Sequence, residues 1–157
     1  VALADVLIAN EEDIQLGLGL AAPGADPGKG EVEADAYRKL AERTKASFPG
    51  LKVIAITLRE SRSADRNGWS AAMLGASGFR ISRQYEILDI VDRVGGGDSF
   101  AAGLIFGLLE LEDEARALEF AVAASALKHT IPGDVNLATR AEVERLLGGD
   151  GSGRVSR

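Results

Sequence analysis

Two largely apolar runs, Val6-Leu-Ile-Ala9 and Val53-Ile-Ala-Ile-Thr-Leu58, the second broken only by Thr57, set the strongest limit on how this chain folds. A strand wetted on one face alternates apolar and polar residues, whereas a strand covered on both faces does not. Val6–Ala9, ending at Asn10, is therefore read as a buried parallel strand, and Val53–Leu58 as a second. Between them, from Glu31 to Ser47, Ala36, Leu40 and Ala41 recur at helical spacing among charges. That spacing predicts an amphipathic helix with one face to solvent, stopped by Pro49-Gly50. Apolar strand, helix, apolar strand implies a right-handed crossover within a parallel sheet.

The remaining punctuation fills in the order of elements. Glu11–Leu16 reads as one or two helical turns, and the Gly- and Pro-rich stretch Gly17 to Gly30 as an exposed loop. Asn67-Gly68 breaks a polar run. Trp69–Leu74 and Phe79–Ile81 follow as a hairpin at the sheet edge, joined through Gly75-Ala-Ser-Gly78. Three helices are expected over Phe100–Leu109, Glu112–Lys128 and Thr139–Leu147, the last with Thr139 as N-cap and Glu142 as its capping-box partner. The expectation is one α/β domain over residues 1–147, with a partly parallel sheet flanked by helices, and a flexible tail over 148–157.

Composition narrows the chemistry. The 157 residues include no Cys and one His, which removes thiolate nucleophiles, disulfides and multi-His zinc sites. The 18 basic and 24 acidic residues give a net charge of −6, the wrong sign for a nucleic-acid binder. No run reaches the ~18–20 apolar residues of a membrane span, so no membrane partner is expected and the cytoplasm is the default location. The sequence opens at Val1 without Met and close to an apolar run, from which a missing upstream segment is expected.

The stretch that carries chemistry is Asp92-Arg-Val-Gly95-Gly-Gly97-Asp98-Ser-Phe100-Ala-Ala-Gly103. Three glycines before a helix allow positive φ and let backbone N–H groups approach a ligand closely. The helix start adds unsatisfied donors and a partial positive charge, suited to a phosphate. Asp98, where the helix opens, is a carboxylate placed to take a proton from a substrate hydroxyl. An anion cradle beside a base is what phosphoryl transfer to an alcohol needs. The plainer alternative is that Asp98 simply caps the helix. The sequence contains no G-x-x-x-x-G-K-[ST] loop. The triplet also fails the dinucleotide G-x-G-x-x-G pattern, which leaves an NAD-binding domain disfavoured.

Asp92-x-x-Gly95-Gly-Gly97-Asp98-Ser-Phe100-x-x-Gly103 resembles the second signature of the PfkB-type, ribokinase-like carbohydrate kinases, D-[TS]-x-G-[AG]-G-D-x-F. Arg93 stands where Thr is usual and Gly96 where Ala is common. The form Asp-Arg-Val-Gly-Gly-Gly-Asp-Ser-Phe is similar to that of 2-keto-3-deoxygluconate kinases. Asn10-Glu-Glu-Asp13 resembles the family's N-x-x-E element with Asp for Glu, and Thr57-Leu-Arg59 its T-x-G with Arg for Gly. Ser125-Ala-Leu-Lys-His129-Thr-Ile-Pro-Gly133-Asp134 is similar to the adenine-side helix and the loop after it.

The resemblance implies a ribokinase-like fold and ATP-dependent phosphorylation of a sugar-acid hydroxyl, 2-keto-3-deoxygluconate at its 6-position. In that reading Asp98 is the base, and the amides of Gly95, Gly96 and Gly97 hold the transferred phosphoryl group. Asn10 and Asp13 act on the Mg²⁺–phosphate side, and Thr57 and Arg59 line the nucleotide. Val122 and Ser125 flank adenine. Asp92 helps hold a monovalent cation such as K⁺, with carbonyls near Gly133. The sugar contacts and lid are implied upstream, which leaves a homo-oligomer through the lid open and makes this chain alone inactive. Another sugar or a nucleoside as acceptor, or a non-catalytic nucleotide-binding module, are the alternatives.

Other candidates have plainer readings. His129 complements the end of its helix, Trp69 packs along its strand, Arg59 to Arg66 form a solvated loop or the rim of the nucleotide site, and Glu110 to Glu114 mark an acidic helix start.

Overall fold

The computed structural model describes residues 1–20, 34–61, 66–111 and 113–149. The chain divides into two compact units, Val1–Glu60 with Ala71–Ile81, and Ser61–Ser70 with Ser82–Arg157. Most of the loop expected over Gly17 to Gly30, and the tail from residue 150, lie outside the described residues.

In the first unit β1 (Val6–Asn10) pairs in parallel with β2 (Val53–Ser61), in register from Val6↔Val53 to Asn10↔Thr57. Helix α1 (Ala34–Ser47) connects them and buries Ala36, Tyr37, Leu40, Ala41 and Thr44, the stripe its spacing predicts. Tyr37, Leu40 and Ala41 join Ile14, Leu51, Ile54, Ile56 and Leu58 in one apolar core. Burial pushes the Tyr37 hydroxyl up to about 12, with Glu11 adding to the effect. The turns after β1 form a π-helical segment, Asp13–Gly17, whose Ile14 is fully buried. One expectation needs correcting: β1 is half-buried at every position rather than fully buried. It ends the strand order and pairs only with β2 among the described strands.

The sheet order is β1-β2-β3-β4, with β3 (Asn67–Gly75) and β4 (Gly78–Ile81) antiparallel through the two residues Ala76 and Ser77. This is the expected edge hairpin. Strand β3 begins earlier than expected, because Asn67 and Gly68 pair with Ile87 and Glu86 of β5 (Tyr85–Ile87), an antiparallel strand the sequence did not reveal.

The second unit holds that pairing and three helices. Helix α2 (Gly96–Glu110) starts within the glycine triplet itself. Helix α3 (Glu114–Lys128) is capped by Asp113, whose Oδ1 accepts from the Ala115 N–H at 2.7 Å. Helix α4 (Arg140–Leu147) carries the expected capping box between Thr139 and Glu142. α2 and α3 approach closely at small residues. A Cβ on Gly107 would stand 2.6 Å from Ala117 Cα, and one on Gly103 2.9 Å from Ala121 Cα. The described residues include no helix long and apolar enough to cross a membrane.

Candidate active site

The glycine triplet opens α2 through backbone geometry alone. Gly95 is the N-cap residue at φ +78°, and no side chain caps the helix. The plainer reading of Asp98 is thereby removed: it lies exposed in the first turn and makes no capping bond. Phe100 and Ser99 beside it are buried and fix the rotation of the turn, so that Asp98 faces outward.

Each glycine meets a different neighbour. A Cβ on Gly95 would lie 2.0 Å from the Asp134 carbonyl oxygen, and one on Gly96 3.0 Å from His129 Cε1. A Cβ on Gly97 would meet nothing within 4 Å beyond its own helix backbone and chain neighbours. The Gly96 N–H donates to the Arg93 carbonyl at 3.2 Å, which corrects the expectation that all three amides face an anion. The Gly97 N–H, in the first turn with no carbonyl four residues back inside the helix, is an open donor of the triplet.

Asp92 ties the preceding loop to the one after α3. Its Oδ1 accepts from the Val94 N–H at 3.0 Å and its Oδ2 from the Gly133 N–H at 2.9 Å. These two bonds, Val94 first, hold its carboxyl below the usual carboxylate range, and the Lys128 charge adds to them. Asp92 thus meets Gly133 through an N–H rather than through the carbonyl expected beside a cation.

Val122 and Ser125 require a correction. Both are fully buried in α3 and present no surface to a nucleotide. The Ser125 hydroxyl instead donates to the Gly96 carbonyl at 2.7 Å, while the Ser125 carbonyl receives His129 Nδ1 at 2.8 Å. His129 thus closes the end of α3 and backs Gly96; the Trp69 ring packs against it, centroids 5.0 Å apart.

In the first unit Asn10 and Asp13 bond reciprocally. The Asp13 N–H donates to Asn10 Oδ1 at 2.7 Å, and the Asn10 N–H to Asp13 Oδ2 at 3.2 Å. This arrangement fixes both side chains at the carboxyl end of β1, where ligands of parallel sheets bind. Thr57 is the register partner of Asn10, and Arg59, two residues on along β2, is exposed on the same face. Asp13 is exposed, and no group of three or more acidic or His residues among those described could cage a metal. That donor set fits a Mg²⁺ carried in on a nucleotide and met through water.

Sequence reasoning missed Lys128 and the carbonyl of Asp134. Lys128 is fully buried, and its Nζ donates to the Ile131 carbonyl at 3.0 Å. Its signal was available: Phe120 to Leu127 carries no charge, so the helix runs buried on all sides into a lysine.

The pfkB family carbohydrate kinase model matches residues 1–140. The 2-dehydro-3-deoxygalactonokinase of Haloferax volcanii is 30% identical over 149 residues, 95% of this chain and 40% of that protein. The Escherichia coli 1-phosphofructokinase is 33% identical over 123 residues, 76% of this chain and 38% of that protein. Among solved structures, the Thermotoga maritima 2-dehydro-3-deoxygluconokinase superposes with a TM-score of 0.83 at 45% identity, covering 94% of this chain and 42% of that one. A ribokinase from the same organism superposes at 0.64 with 23% identity, over 92% of this chain and 42% of its own, a likeness of fold. The chain spans about 40% of the length of these relatives. With the glycine–aspartate start of α2 and a parallel β1–β2 pair in the same chain, it belongs to the pfkB family of carbohydrate kinases.

Proposed function

We propose that this chain carries the phosphate-handling part of a kinase that moves the γ-phosphoryl group of ATP to a hydroxyl of a sugar acid, 2-keto-3-deoxygluconate at its 6-position. The observation that carries the reading is the uncapped start of α2, with Asp98 exposed beside open space over Gly97. The 45% identity to a 2-dehydro-3-deoxygluconokinase supports the acceptor, and the name of the E. coli relative keeps a sugar phosphate as the second acceptor to screen.

In this reading the Asp98 carboxylate takes the proton of the acceptor hydroxyl as its oxygen attacks the γ-phosphorus. The bond from that phosphorus to the bridging oxygen breaks, and its electron pair leaves on ADP. The Gly97 N–H and the positive end of α2 face the charge on the transferring group. Mg²⁺, arriving with ATP, neutralises phosphate charge when bound, and Asn10 and Asp13 are the residues that would meet it. Thr57 and Arg59 are proposed to line the nucleotide. Transfer of this kind has a loose transition state, so positioning contributes more than base strength.

The test is turnover of the full-length gene product with ATP-Mg²⁺ and a panel of sugar acids, sugars, sugar phosphates and nucleosides. A positioned base contributes about 10²–10⁴ in rate, so Asp98→Asn is expected to lower kcat by that factor with ATP affinity little changed. Near-normal turnover in the variant would remove Asp98 from its role. ATP binding with no turnover on any acceptor would favour the non-catalytic module.

A further inference from the structure

The resemblance implies a monovalent cation beside Asp92, among carbonyls near Gly133, and the residues there do not fit one. Lys128, at the last position of α3, is fully buried. Its Nζ takes the Ile131 carbonyl at 3.0 Å, and its Cε lies 3.3 Å from where a Cβ on Gly95 would stand. The Asp134 carbonyl closes on Gly95 from the same loop. Asp92, bonded to Gly133 N–H, feels the lysine charge. Lysine is almost never fully buried unless its charge is compensated, and a residue needed only for packing would be aliphatic here, like Leu127 and Ala126 before it. The ammonium thus takes the Ile131 carbonyl and places a fixed positive charge beside Asp92, where a K⁺ ion would stand.

We propose that Lys128 stands in for the monovalent cation: its ammonium supplies, from within the chain, the positive charge that joins the loop before α2 to the loop after α3. Lys128 is a positioning residue acting through Gly95 and the 131–134 backbone, and the protein has no selective response to K⁺. This deepens the kinase reading by naming what holds the phosphate cradle, but the geometry stands without it.

Thermal unfolding of this chain in KCl, NaCl and tetramethylammonium chloride at matched ionic strength tests the proposal without turnover. Wild-type midpoints are expected to agree within about 1 °C. Lys128→Ala is expected to unfold about 4 °C or more lower, and to recover part of that loss in KCl but not in tetramethylammonium chloride. A wild-type midpoint raised by more than about 3 °C in KCl alone would overturn the proposal. So would a Lys128→Ala protein with the wild-type midpoint and no cation response. If the variant does not fold, the wild-type series decides. In the full-length gene product, kcat in KCl and NaCl is expected to agree within about two-fold. Strong selective activation by K⁺ would sink the Lys128 role while leaving the kinase reading intact. Absence of turnover would count against that reading alone, with the unfolding series still deciding on Lys128.

Discussion

At the level of single residues, the three consecutive glycines separate into distinct physical demands. Gly95 combines a φ of +78° with a carbonyl 2.0 Å from where a Cβ would be. Left-handed backbone costs an L residue about 1–2 kcal/mol and overpacking about 1–3 more, so Gly95→Ala is expected to lose about 2–5 kcal/mol in urea unfolding. Gly97 is the reverse case, with helical backbone and empty surroundings. Alanine there should gain about 0.5–1 kcal/mol from helix propensity, while the added methyl enters the space assigned to the phosphoryl group and lowers kcat. A Gly97→Ala chain less stable than wild type would contradict the open geometry. Asp92 makes a prediction in pH. Its folded carboxyl is held below the ordinary range, so the stabilisation is complete above that range and is lost as pH falls through the depressed value. Urea midpoints measured from about pH 7 down to about pH 2 should fall more steeply for wild type than for Asp92→Asn, which lacks the titrating group. The glycine–aspartate run was legible in the sequence because it is local. That Gly96 gives its N–H to Arg93, and Ser125 its hydroxyl to Gly96, was not, since the second bond spans 29 positions and depends on how α3 packs.

Secondary-structure elements were legible where their signals repeat or are punctuated. The α1 stripe, the Thr139–Glu142 box and the β3–β4 hairpin follow from spacing and turn chemistry within a few residues. β5 has three residues, too few for a period, and its partner begins with Asn67-Gly68, a pair that locally favours a turn. Pairing with Ile87 and Glu86 outweighs that preference, which is a tertiary effect. The capping box gives the cleanest measurement at this level. Thr139 Oγ1 accepts from the Glu142 N–H, and Glu142 Oε2 accepts from the Thr139 N–H at 2.7 Å. Losing such a cap typically costs about 1 kcal/mol, so Thr139→Ala should lower the unfolding midpoint by about 2–4 °C, and Thr139→Ser should restore most of it. Equal midpoints for Thr139→Ala and wild type would mean that α4 is held by packing through Val143 rather than by its cap.

For the whole molecule, what matters is how the assigned residues divide. Asn10, Asp13, Thr57 and Arg59 lie in the first compact unit; Asp92, Gly95–Gly97, Asp98 and Lys128 lie in the second. Apart from Asp98, proposed to meet the acceptor hydroxyl, all of them concern nucleotide, phosphate or the backbone behind it, and no residue in either unit is assigned to binding the rest of the sugar. The family was legible because the signature is local, whereas the acceptor rests on likeness to relatives of which the chain spans about 40%. We therefore expect this chain to bind ATP-Mg²⁺ without phosphorylating 2-keto-3-deoxygluconate. Titration calorimetry should show nucleotide binding that Asp98→Asn leaves unchanged, because the base acts on the acceptor rather than on ATP. A coupled assay on these 157 residues should show no ADP release above background. Phosphorylation of the sugar acid by these 157 residues alone would mean that the acceptor site lies among them. In that event the exposed face of Asp98 and the space over Gly97 would be the first place to look for it, since the acceptor oxygen must reach both.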